Sequence, residues 1–157
     1  MATKTKTTTK MTLKSPSFEA GGLIDAHHTC DGRNVSPELQ WTAVPEGARS
    51  FALIIEDPDA PSGTFTHWVL FDIPGDVHSL AVESDVGVAG RNDFQQSGYG
   101  GPCPPPGHGQ HRYYFRLYAL DVAGLGLPEG ARREEVESTM EGHIIAEAEL
   151  MGRFSRG

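Results

Sequence analysis

A mainly β fold, built of short strands joined by turns, is what this sequence predicts, and three observations carry the prediction. Glycine and proline are abundant, 19 and 11 of 157 residues. Residues 51–57, 66–73 and 111–121 alternate in the period-two manner of strands. Helix-forming stretches are scarce before the C-terminal quarter. Residues 1–10 read as a disordered Thr/Lys tail and residues 11–157 as a single domain, long enough to bury a real core.

Taken in order, residues 11–18 read as extended, with Pro16 ending the run. Residues 19–33 form a glycine-rich polar loop holding His27, His28, Cys30 and Asp31. Their spacing is irregular and no second cluster answers it, so solvated loop residues are expected rather than metal ligands. Residues 36–41 turn into a short strand with Leu39 and Trp41 on one face. In residues 51–57, Phe51, Leu53, Ile55 and Asp57 share a face, so an apolar row ends in a carboxylate. Pro58 and Pro61 then bend the chain away, since proline has no N–H for a ladder. Residues 66–73 follow after a short Ser62-Gly63 turn, and a hairpin with 51–57 is expected. Here His67 continues the row of Val69, Phe71 and Ile73. Residues 76–98 are polar, with a short strand expected near 86–89. Residues 99–109 alternate glycine and proline, which gives a shaped loop rather than a loose one. His111, Tyr113, Phe115, Leu117 and Ala119 then share a strand face. A helix is expected over 132–145, because Val136, Met140 and Ile144 recur every four residues. After it, 147–154 either prolongs the helix or, by the alternation of Ala148, Leu150 and Gly152, forms a last strand.

The net charge is −8, and residues 1–14 hold Lys4, Lys6, Lys10 and Lys14 without an acid. The rest carries nine basic against twenty-one acidic side chains, a net of −12. A body so acidic argues against nucleic-acid binding. No stretch approaches the roughly 20 apolar residues of a membrane span, and no apolar run of a secretory signal opens the chain. The expectation is a soluble, cytoplasmic protein. Cys30 and Cys103 are the only cysteines. They are compatible with one disulfide, but without a secretory signal free thiols are expected.

Three strands each put an ionisable group at one end of an apolar row: Asp57, His67 and His111. If those ends cluster, with Tyr113 and Asp59 nearby, they form a small cavity that is apolar below and polar at its mouth, the usual form of a small-ligand site. Each residue also has a plain structural reading, as a satisfied core histidine or a turn-capping aspartate. Catalysis is not expected. No HxxxH or HExxH spacing appears and no Gly-x-Ser-x-Gly elbow. A Cys103–His111 nucleophile pair would have carboxylates beside it, which raise a thiol pKa.

Ser36-Pro-Glu-Leu-Gln-Trp41, Asp57-Pro-Asp-Ala-Pro61, His67-Trp-Val-Leu70, Tyr99-Gly-Gly-Pro-Cys-Pro-Pro-Pro106, Gly109-Gln-His-Arg-Tyr113 and the ending from His143 to Phe154 resemble the phosphatidylethanolamine-binding protein family. The likeness is to its compact bacterial and archaeal branch, often called Raf kinase inhibitor-like. It implies an antiparallel, Greek-key-like β-sandwich with a few short helices, one near the C-terminus. It also implies a cavity for phosphate or phosphorylethanolamine-like head groups, with no metal and no cofactor. By position Asp57, Asp59, Phe65, His67, Gly101, Pro102, His111 and Tyr113 would line it. The same likeness implies a homodimer and a regulator or inhibitor of kinases or proteases. The segment 103–108 departs from animal members and is expected to reshape the cavity entrance. Two other classes stay open on the residues alone: a protein-interaction scaffold with a vestigial pocket, and a His/Asp hydrolase.

Overall fold

In a computed structural model that describes residues 9–156, the chain forms two facing sheets with one helix outside them. The elements are β1 (Thr9–Lys10), β2 (Thr12–Lys14), a 3-10 turn (Ala26–His28), β3 (Leu39–Thr42), β4 (Ser50–Asp57) and β5 (Phe65–Pro74). There follow β6 (Ser79–Leu80), β7 (Val88–Ala89), β8 (His111–Leu120), α1 (Arg133–Met140) and β9 (Ile144–Phe154). The larger sheet has the order β1-β9-β8-β4-β5-β7 and the smaller one β2-β3-β6. All pairings are antiparallel except that of β1 with β9. The fold is mainly β with a helix near the C-terminus, as expected. No helix among the described residues is long and apolar enough to cross a membrane.

The sandwich core lies between the sheets. Phe51, Leu53 and Ile55 of β4 meet Leu13, Leu39, Trp41 and Leu80 of the small sheet there, and Phe115, Leu117 and Ala119 of β8 extend the layer. Full burial of each large side chain contributes roughly 1.5–3 kcal/mol. The other face of the large sheet carries Ala52, Ile54, Val69 and Phe71, which α1 covers with Val136 and Met140. Glu56 points to that outer face, where it pairs with Arg116 and Arg133.

Two expectations are corrected here. The helix ends at Met140, not at 145, because Gly142 adopts φ +85° and turns the chain. Ile144 then opens β9, whose ladder with β8 runs from Leu120 to His111. Gly152 keeps this last strand close to the loop before β3: a Cβ there would stand 2.6 Å from Ile24 Cγ1 and 2.7 Å from Phe18 Cε2. The second correction concerns β5. Its pairing with β4 slips twice, once around Phe71–Asp72 and once at His67. Asp72 takes φ +55°, and each bulge reverses which face the following side chains occupy. Trp68, Leu70 and Ile73 therefore join the sandwich core, while Val69 and Phe71 face α1. His67 does not share the face of Val69 and Phe71.

The tail expected over residues 1–10 falls mostly outside the described residues, and Thr9 and Lys10 pair with Ala146 and Glu147. The cysteines are not free thiols. Cys30 and Cys103, 73 positions apart, form a disulfide with Cα atoms 5.4 Å apart. Burial brought the loop after the 3-10 turn against the glycine-proline loop, where Cys30 N–H donates to Pro102 O.

Cross-linking positions so distant in sequence restricts the unfolded chain, which is worth about 2–4 kcal/mol. The Cys30→Ser/Cys103→Ser protein should lose that amount in chemical denaturation. An unchanged midpoint and slope would contradict this.

Candidate functional site

Antiparallel pairing explains why three distant positions meet. The C-terminal end of β4 lies beside the N-terminal ends of β5 and β8, so Asp57, Phe65, His67, His111 and Tyr113 converge at one end of the large sheet. The bulge at His67 aims its ring to the side of Tyr113, with ring centres 5.3 Å apart, while the neighbouring Thr66 hydroxyl meets Arg133 by α1. These residues line a cavity of about 170 Å³ together with Ala60, Pro61, Phe94, Cys103, Pro104 and Pro105.

Asp57 is 3 % exposed and fully engaged. Its Oδ1 accepts the Asp59 N–H at 2.7 Å, and its Oδ2 accepts from His111 Nδ1 at 2.6 Å. The carboxylate thus fixes the proton of the buried His111 ring on Nδ1. The opposite nitrogen, Nε2, lies 2.6 Å from Nδ1 of His108. With Nδ1–H pointing at Asp57, Nε2 accepts the His108 Nδ1–H whenever the His111 ring is neutral.

His67 is also buried. Its Nδ1 donates to Gly100 O at 2.8 Å, which leaves Nε2 as the acceptor of the neutral ring. Among the described residues only the Gly100 carbonyl meets full hydrogen-bond geometry with the ring, and the Gly101 backbone adds a second polar contact to it. Burial pushes its pKa below the ordinary histidine value, outweighing the opposing pull of the Gly100 carbonyl and Asp57. The ring is therefore neutral near pH 7. Phe65 and Phe94 pack around it at 4.9 and 5.4 Å between ring centres.

Tyr113 is fully buried, and its hydroxyl has no hydrogen-bond partner among the described residues. Burial, with Asp57 next in effect, pushes its pKa far upward, so it remains a neutral donor and acceptor. Buried hydroxyls are almost always partnered, and one left open beside a cavity marks a place for a ligand atom or water.

Three expected residues stand elsewhere. Asp59 is held by Arg112 through Nη2 at 2.8 Å, Nε at 2.9 Å and the backbone N–H at 2.9 Å. Arg112 lowers its pKa to about 2, so its charge is committed outside the cavity. The Gly101 N–H donates to Asn34 Oδ1, and a Cβ at Gly101 would stand 2.3 Å from the His28 carbonyl oxygen. The Gly100 N–H donates to His67 O. The glycine loop thus directs its backbone donors inward, and Pro102 with Gly101 forms the packing behind the wall. Phe94, Pro104, Pro105 and His108 were not among the expected residues. Phe94 sits in a polar stretch without periodicity, whereas the other three lay within the glycine-proline loop and could have been read from it.

Larger hollows exist, one of about 420 Å³ between Arg91, Asp93, Arg132 and Arg133. There Arg91 bonds to Gln95, Arg133 to Glu137, and Asp93 accepts the Thr66 N–H. The smaller cavity is lined by Tyr113, whose buried hydroxyl has no partner among the described residues. Among the described residues no group of three or more His, Cys, Asp or Glu side chains could hold a metal ion. Cys103 is in a disulfide, which removes the thiol of a Cys–His nucleophile pair.

Comparison with known proteins identifies the family. The model for phosphatidylethanolamine-binding protein matches residues 14–155. The chain belongs to that family. A UPF0098 protein of Aquifex aeolicus is 51 % identical over 152 residues, spanning 93 % of this chain and 89 % of the relative. Another, from Methanothermobacter thermautotrophicus, is 50 % identical over 156 residues, 94 % of this chain and 100 % of its own. A solved phosphatidylethanolamine-binding protein homologue of Chlamydia trachomatis superposes with a TM-score of 0.89 at 40 % identity, covering 96 % of this chain and 100 % of that one. YbcL of E. coli, described as a member of the mammalian PEBP family, gives 0.87 at 32 % identity, covering 94 % and 99 %.

If the Tyr113 hydroxyl is kept for a ligand, Tyr113→Phe should leave stability within about 1 kcal/mol of the parent, because no hydrogen bond of the fold is lost. Denaturation midpoints measure this. A loss above about 2 kcal/mol would reveal a structural partner.

Proposed function

We propose that the cavity binds a small oxyanion head group, phosphate or a phosphorylethanolamine-like monoester, and does no chemistry on it. The Tyr113 hydroxyl carries this reading: it is buried and without a hydrogen-bond partner among the described residues, on a side chain that lines the cavity. His111 and His67 each hold Nδ1–H on a fixed acceptor, which leaves the Nε2 of His67 for a ligand, while that of His111 is met by His108. Both oxygens of Asp57 already accept hydrogen bonds, so its lone pairs are engaged by Asp59 N–H and His111 Nδ1 rather than by the ligand. Phe65 and Phe94, at 4.8 Å in an edge-to-face arrangement, offer ring faces that suit an ammonium group at the rim.

On this reading the protein is a ligand-responsive regulator, with kinases or proteases as targets and a homodimer as its working form. The cytoplasmic location belongs to the reading only for a cell whose cytosol keeps disulfides, given Cys30–Cys103. The His/Asp hydrolase is not favoured: Asp57 is locked in two hydrogen bonds, and His67 is a neutral buried ring.

Both imidazoles present acceptors when neutral, so an oxyanion binds together with a proton, carried on the ligand or taken up by a ring. Asp57, Asp93 and Tyr113 face His67, and the two carboxylates favour that uptake. Since burial lowers the His67 pKa, ring protonation requires acid pH or a bound anion. Phosphate affinity, measured by isothermal calorimetry, should therefore rise as pH falls from 8 to 6. It should drop at least tenfold in His111→Ala and in His67→Ala. Affinity independent of pH, or unchanged from the parent in either variant, would overturn the reading.

A further inference from the structure

His108 is exposed, yet its ring reaches the 2 %-exposed His111 and fills the hydrogen-bonding position at Nε2. The two rings stand edge to face with centres 4.9 Å apart. The segment bearing His108 is fixed at both ends, by the Cys30–Cys103 disulfide and by His111 at the start of β8. Between them Gly107 and Gly109 flank His108 at φ +77° and +88°, with open space where a Cβ would stand. Few bonds hold the tip: His108 N–H donates to Pro105 O, and Gly107 N–H donates to Arg156 O.

We propose that His108 is a recognition residue of the cavity: it occupies His111 Nε2 in the ligand-free protein and yields that position to a ligand oxygen. The proposal rests on the oxyanion reading above. The proton logic makes the exchange even-handed. With His111 Nδ1–H fixed by Asp57 and the ring neutral, Nε2 accepts one proton, from His108 Nδ1–H before binding and from a ligand P–OH after it. No bond type is lost, and the released imidazole returns to water next to the bound head group. Two glycines supply the φ freedom for the tip to move without strain. The same contact makes His108 a selector. A ligand that cannot bring a proton to Nε2 must instead force one onto His111, and it competes with His108 at a disadvantage.

The test compares His108→Ala with the parent, using inorganic phosphate by isothermal calorimetry and ¹⁵N-histidine spectra. His108 is exposed, so its removal leaves the core intact. Without the internal competitor, phosphate should bind about two- to tenfold more tightly, the factor equivalent to one ordinary hydrogen bond. With no ligand present, the His111 Nε2 resonance should also move, since it loses its partner. If the parent binds phosphate and the variant binds it equally or more weakly, the proposal is overturned while the oxyanion reading stands. If His111 Nε2 is unmoved in the ligand-free variant, the contact does not exist and the proposal is overturned whatever phosphate does. If neither protein binds phosphate saturably, both the proposal and the oxyanion reading fall.

Discussion

The bond between Asp57 and His111 is the constraint on which the site depends. Two ionisable groups, 3 % and 2 % exposed, face each other across the β4–β8 seam at 2.6 Å. Removing one partner of such a pair leaves a buried polar group unanswered, at a cost well above that of a surface contact. The pair also decides what the cavity can do. It fixes the proton of His111 on one nitrogen and turns the other toward His108 and the cavity. It also keeps one Asp57 oxygen engaged within the fold. Around it, Pro61, Pro104, Pro105, Phe65 and Phe94 keep the walls apolar, which strengthens each polar contact inside.

Much of this was legible in the residues. Apolar rows ending in Asp57 and His111 are period-two patterns, and β4 and β8 keep their pattern along their whole length. The hairpin of β4 with β5 followed from the short connection. His67 was picked out correctly as ionisable at a strand end, but its face was misread. A bulge adds one residue without changing composition, so neither slip in β5 leaves a periodic trace. Only Asp72 at φ +55° marks one of them, and aspartate tolerates that region without announcing it.

Long-range pairing was the part the chain could not disclose. Asn34 takes the Gly101 N–H from 67 positions away, and Cys30 finds Cys103 across 73. Both contacts tie the loop after the 3-10 turn to the glycine-proline loop and so shape the cavity from behind. The helix was overextended for a related reason. Ile144 fits a helical face equally well, and the long ladder of β9 on β8, started by the turn at Gly142, decides its state.

The central claim is that buried histidine nitrogens are held ready for a ligand, and His28 provides an internal contrast. It is as buried as His67, but both its ring nitrogens are engaged, Nδ1 with Val35 O at 2.9 Å and Nε2 with Ser17 Oγ at 3.1 Å. ¹⁵N spectra of histidine-labelled protein at neutral pH, with and without saturating phosphate, read both rings at once. A neutral, Nδ1-protonated His67 whose Nε2 signal moves on phosphate addition, beside an unmoved His28, is the predicted result. A His67 signal that stays in place while phosphate saturates the protein would contradict the claim.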